Sequence, residues 1–161
     1  MVKLPFWFLL MCGAISVVIS APVAPEIKLE VPSARQRINM AVAFGKKVEN
    51  DEIPIFVKVR LAPLHHIYAL EKSGSHNKPT EIGTKLPGGL SLGGPWSGPE
   101  PKKLSDGSRV YENEVIFSNV LKGKPKGEKI EVTLAFQVCN ELLCWPPEKL
   151  SREAALEKGV K

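Results

Sequence analysis

From residue 38 to residue 138 the apolar residues recur at every second position in short runs, and no stretch before residue 148 sustains a helical period. The cleanest run is Ile53, Ile55, Val57, Val59 and Leu61, with Phe56, Lys58 and Arg60 on the opposite face. A second is Ile130, Val132, Leu134, Phe136 and Val138. Weaker alternation marks Ile38, Met40, Val42 and Phe44, a short strand over residues 65–70 (His65-His66-Ile67-Tyr68-Ala69-Leu70), and one strand over residues 109–117 carrying Tyr111, Val115 and Phe117. Side chains alternate across a strand, so each run gives a half-buried strand with one face toward a core.

Turn chemistry separates the runs. Gly45-Lys46-Lys47, Asn50-Asp51-Glu52, Ala62-Pro63-Leu64, the polar residues 74–80 and the charged residues 122–129 all read as turns or loops. Residues 87–101 are more than half Gly and Pro, with Trp96 among them, which excludes a regular helix or a central strand there. That stretch is expected to be a long ordered loop or a flap gating access to a site. About six or seven short strands with regular turn signals predict an all-β, immunoglobulin-like β-sandwich ending in a cysteine hairpin. With 43% hydrophobic and 24% charged residues the chain can bury one core, and 161 residues is the size of one domain.

The expected organisation is a signal peptide over 1–21, an N-terminal extension or edge strand over 22–36, the sandwich over 37–150 and a short tail over 151–161. Lys3 precedes an apolar run from Leu4 to Ile19, and Ser20-Ala21 follow, a secretory leader pattern. A retained anchor is the rival, but the run is about 16 residues where a span needs roughly 20. Lipidation at Cys12 is disfavoured by the bulk of Met11. Leader removal takes Cys12 with it and leaves an even pair, Cys139 and Cys144, in a disulfide-permissive compartment, periplasmic or secreted, with no stable membrane insertion. The tail from Ser151 contains helix formers, yet it is too short to be a stable helix alone.

Those two cysteines lie in Phe136-Gln137-Val138-Cys139-Asn140-Glu141-Leu142-Leu143-Cys144-Trp145-Pro146-Pro147. Period two places Cys139 opposite in face to Val138, away from the apolar core and toward solvent or a cover. A four-residue loop returns Cys144 opposite Cys139, at a Cα separation compatible with a disulfide. Trp145 falls on the core side beside Val138, and Pro146 and Pro147 stop the return strand, which reads as an edge. A six-residue disulfide loop contributes only about 2 kcal/mol, so a staple gains little here. A short hairpin disulfide also stays reachable by a thiolate. The residues alone leave redox exchange and a structural staple both open.

Other chemistry is thinly represented. The net charge of +5 is scattered through the strands, unlike the clustered basic stripe of a nucleic-acid binder. His65, His66 and His76 raise metal binding, copper included, but adjacent strand histidines face opposite ways and cannot chelate together. One of His65 and His66, or Tyr68, could instead lie over the cysteines and tune them. No nucleotide loop, nucleophile elbow or helical metal motif is present, and no cofactor or metal is expected.

At the hairpin the sequence resembles the N-terminal periplasmic domain of the thiol:disulfide reductase DsbD. The likeness runs from about Val42 to Leu150 and includes Val57-Lys58-Val59-Arg60-Leu61, His66-Ile67-Tyr68, Pro79-Thr80, Pro87-Gly88-Gly89-Leu90 and Tyr111-Glu112. Its most specific part is Phe136-Gln137-Val138-Cys139 through Cys144-Trp145-Pro146-Pro147. The resemblance implies an immunoglobulin-like fold and a reversible Cys139–Cys144 disulfide. It also implies electron transfer from a membrane thiol reductase to thioredoxin-like periplasmic proteins, and a cap over the cysteines. Trp96 or residues 104–110 are the expected cap, with Phe136, Gln137, Trp145, Pro146 and Pro147 supporting the hairpin. Familiar members continue into a membrane domain and a thioredoxin-like domain, so this chain is expected to take electrons from a separate protein. The alternative is an exported, non-enzymatic binding module with a structural hairpin disulfide.

Overall fold

The computed structural model describes residues 23–33, 35–48, 50, 52–71 and 77–156; the leader expected over 1–21, with Cys12, and also His76 lie outside them. Among the described residues eleven strands follow one another: β1 (Ile38–Phe44), β2 (Ile53–Leu61), β3 (His66–Tyr68), β4 (Glu81–Lys85), β5 (Leu90–Leu92), β6 (Lys102–Lys103), β7 (Arg109–Glu112), β8 (Glu114–Gly123), β9 (Lys129–Phe136), β10 (Val138–Cys139) and β11 (Glu148–Ala155). They form three sheets ordered β1-β2-β8-β5, β10-β3-β7-β6 and β11-β9-β4. No α-helix occurs among the described residues, and none of their helices is long and apolar enough to cross a membrane. The architecture is an all-β, immunoglobulin-like sandwich.

The period-two runs build the core. Ile53, Ile55, Val57 and Val59 of β2, Phe117 and Leu121 of β8, and Ile130, Val132, Leu134 and Phe136 of β9 pack as one cluster and are almost wholly buried. Burial of each such side chain stabilises by about 1.5–3 kcal/mol, so the cluster supplies most of the favourable free energy of folding. Register follows from this face. Val57 sits between Val42 and Phe117, and a slip of one residue on β2 would expose Val57 and bury Lys58.

Two expectations are corrected and two either-or readings are decided. The single strand over 109–117 is two strands in different sheets, because Asn113 adopts φ 59° and interrupts the extended chain between β7 and β8. The freed carbonyl of Asn113 accepts the Leu61 amide at 2.7 Å. Residues 87–101 are an ordered strap: β5 pairs with β8 at the sheet edge, the Gly93 amide donates to Val120, and Ser97 and Ser118 exchange backbone bonds. The tail expected from residue 151 is not separate from the sandwich: as far as Ala155 it is strand. β11 crosses residue 150 and pairs with β9 over eight residues, from Glu148↔Phe136 to Ala155↔Lys129, with Leu150, Ala154 and Leu156 turned inward. Pro146 and Pro147 therefore end the hairpin but not the sheet. Finally, the described part of 22–36 forms no strand. The Lys58 and Arg60 side chains hold it by donating to the Ile27 and Leu29 carbonyls at 2.7 and 2.6 Å, and Asn39 donates to Glu30.

Candidate functional site

The chain leaves the β11-β9-β4 sheet after Phe136 and enters the β10-β3-β7-β6 sheet at Val138. Gln137 sits at this crossing and fastens it. Its side-chain oxygen accepts the Lys78 amide at 3.2 Å, and its side-chain nitrogen donates to the Trp145 carbonyl at 3.1 Å. Phe136, 1% exposed, anchors the crossing in the core. On the far side the Trp145 amide donates to the Val138 carbonyl at 2.9 Å, closing the hairpin. Trp145 is half-buried against the core, stacks on His65 at 5.2 Å and carries the Arg37 guanidinium 4.2 Å above its ring. Pro146 and Pro147 are exposed.

Cys139 and Cys144 face each other across the hairpin and are joined by a disulfide, with Cα atoms 4.0 Å apart. The intervening loop is closed by its own bonds. The Asn140 side-chain oxygen accepts the Leu142 and Leu143 amides, both at 2.9 Å, and the Asn140 amide donates to the Leu143 carbonyl. The two sulfurs are unequal. Cys139 is 1% exposed, whereas Cys144 is open to solvent. The expectation that Cys139 turns from the main core holds, but it turns into a second, small apolar cluster with Tyr68 and Val110, over which Leu104 packs. Of the two surroundings expected for it, solvent or a cover, Cys139 has the cover.

Tyr68 reaches both sulfurs, its hydroxyl 3.4 Å from Cys139 Sγ and 3.7 Å from Cys144 Sγ. A disulfide sulfur carries no hydrogen, so the phenol is the donor. Burial, helped by the negative charge of Asp106, raises the Tyr68 pKa above its ordinary value and keeps that proton in place. Thr80, itself buried, fixes Tyr68 by bonding its carbonyl at 2.5 Å.

A groove of about 610 Å³ runs over the pair, lined by residues that include His66, Tyr68, Lys102, Leu104, Asp106 and Glu112. The loop crossing it is the tight β6–β7 turn. Leu104 and Ser108 are bonded across it, Gly107 supplies φ 84°, and Asp106 accepts from the Ser108 amide and hydroxyl. Those bonds lower the Asp106 pKa and hold it as a carboxylate. Of the two expected covers, residues 104–110 lie at the cysteines. Trp96 does not: it packs on the main core and borders a separate hollow with Tyr111 and Arg109, and the strap containing it does not line the groove. Asp106 comes with the expected cover, but the charged residues Lys102 and Glu112 were not anticipated. Only cross-strand register brings those two to the groove, and alternation within one strand cannot show that. No group of three or more His, Cys, Asp or Glu among the described residues is arranged to hold a metal.

Comparison with known proteins identifies a family. The family model described as "Thiol:disulfide interchange protein DsbD, N-terminal" matches residues 34–155. The N-terminal periplasmic domain of ScsB from Proteus mirabilis superposes with a TM-score of 0.55 at 20% identity, covering 73% of this chain. The chain spans only 45% of the length of that structure, and the likeness speaks for the fold alone. A Neisseria meningitidis structure, of the complex between the DsbD N-terminal and PilB N-terminal domains, aligns over 78% of this chain and 88% of its own at 19% identity and a TM-score of 0.49. No curated protein matches the sequence. A matched family model spanning most of the chain, a β-sandwich and a hairpin disulfide under a short cover lead to one assignment: the chain belongs to the family of the N-terminal domain of the thiol:disulfide interchange protein DsbD.

Proposed function

We propose that the protein is an exported electron carrier, periplasmic or secreted, whose Cys139–Cys144 pair is reduced by a membrane thiol reductase and reoxidised by thioredoxin-like proteins. The observation that carries this reading is the inequality of the two sulfurs beneath a cover of one apolar residue, Leu104. A thiolate can approach only an exposed sulfur, so Cys144 Sγ takes the attack and Cys139 Sγ is the leaving group. Tyr68 donates to the sulfur that departs. The partners rest on the family likeness, and the exchange chemistry rests on the chain's own residues.

Two measurements test it. Equilibration of the mature protein in a glutathione or dithiothreitol series should give a potential above about −300 mV; a value far below that marks a structural staple and returns the protein to the binding-module reading. In cells, Cys139→Ala should accumulate a mixed disulfide through Cys144, while Cys144→Ala should not. The reverse pattern would refute the assignment of Cys144 as the attacked sulfur.

A further inference from the structure

Four residues stand in one row across neighbouring strands: Cys144 opposite Cys139, Cys139 opposite His66, and His66 opposite Glu112. Directly opposed residues of antiparallel strands share a face, with Cβ atoms about 4.5–5.5 Å apart. All four line the same groove. We propose that His66, held between Cys139 and Glu112, carries the proton that Cys139 takes up when the disulfide opens and gives back when it closes. The inference rests on the exchange reading above and adds a residue to it.

Opening the disulfide creates a problem that the sulfurs cannot solve themselves. A partner thiolate bonds to Cys144 Sγ, the Cys139–Cys144 bond breaks, and its electron pair leaves on Cys139 Sγ. That negative charge forms where the side chain is 1% exposed, among Tyr68, Val110 and Leu104. An unpaired charge in such surroundings is costly. Tyr68 can donate a hydrogen bond but does not give up its proton, since burial raises its pKa. An imidazolium at His66 can, leaving a neutral Cys139 thiol and a neutral imidazole. Closure reverses each step: His66 takes the thiol proton, the Cys139 thiolate attacks Cys144 Sγ, and the partner sulfur leaves with the electron pair.

The surroundings of His66 fit a group that changes charge. Glu112 faces it from β7, Asp106 from the covering loop, Lys102 from β6, His65 from the preceding position, and Tyr68 lies edge-on at 5.7 Å. Lys102 is bonded to both Glu112 oxygens, at 2.9 and 3.0 Å, which holds that carboxylate in the row. Burial lowers the His66 pKa from 6.5; Glu112 and Asp106 pull it back up, and His65 and Lys102 push it further down. The ring is therefore mainly neutral at pH 7 and becomes charged on the acid side.

The test is the rate of disulfide reduction by dithiothreitol from pH 5 to 8, expressed per reductant thiolate, for wild type, His66→Gln and Glu112→Gln. The wild-type rate constant should rise as pH falls, with a midpoint below 6.5, because protonated His66 is the donor. His66→Gln should abolish the inflection and lie about tenfold below wild type at the acid end. Glu112→Gln should keep the inflection but move it to lower pH, having lost the charge that raises it. A flat wild-type profile, coincident wild-type and His66→Gln profiles, or an unmoved Glu112→Gln midpoint overturns the proposal. Dithiothreitol reduces a staple as well as an exchange disulfide, so this result is independent of the potential that decides the exchange reading. Should His66→Gln fail to fold by circular dichroism, the Glu112→Gln midpoint still decides.

Discussion

The main core and the small cluster under Leu104 lie side by side, meeting on β3, β7 and β10, and are closed in opposite ways. Phe117, Ile55, Val57, Val132 and Leu134 are fully enclosed between strands that pair along their whole lengths. Tyr68, Val110 and Cys139 are equally buried, yet what closes over them is one half-buried leucine on a five-residue turn. Residues 136–139 serve both: Phe136 and Val138 enter the large cluster, and Cys139 the small one. Equal burial thus hides unequal opening costs, since uncovering the core means unfolding while uncovering Cys139 means moving one turn. Stability and access are assigned to different faces of the same chain.

This contrast can be broken at either end. Phe117→Ala should cost about 3–5 kcal/mol in urea unfolding while leaving the reduction rate of the folded protein unchanged. A matching change in that rate would show that the two regions are coupled. Reducing the disulfide should cost only about 2 kcal/mol, read as the difference between unfolding curves with and without dithiothreitol. A much larger loss would mean that the hairpin holds the sandwich together. The smallest effect on stability should come from Leu104→Ala, about 1 kcal/mol for a half-buried side chain. If that energy keeps the turn closed, the reduction rate should rise roughly fivefold. An unchanged rate would locate the cover elsewhere.

The sequence made the large core legible because β2, β8 and β9 keep a strict alternation wherever one face is buried. It made the disulfide loop legible too, since turn length and pairing fix which residues oppose. What escaped was whatever depends on partners distant in sequence. β11 reads as helix by propensity, and its strand conformation comes from eight ladder pairs with β9; the spacing of Leu150, Ala154 and Leu156 was the signal that could have revealed it. The sheet changes at Asn113 and Gln137 keep the alternation intact, so the pattern runs through them without a mark. The row from Cys139 through His66 to Glu112 draws on three separated segments, and no local pattern encodes it.

The long pairing of β11 with β9 has a mechanical side. The cysteine hairpin is an excursion from one side of that ladder, closed at its base where Phe136 meets Glu148. Eight ladder pairs stand between Ala155 and the base of the hairpin, and they would have to part in turn before a displacement of Ala155 reached Cys144. The cysteine hairpin thus keeps its shape while the far end of β11 frays.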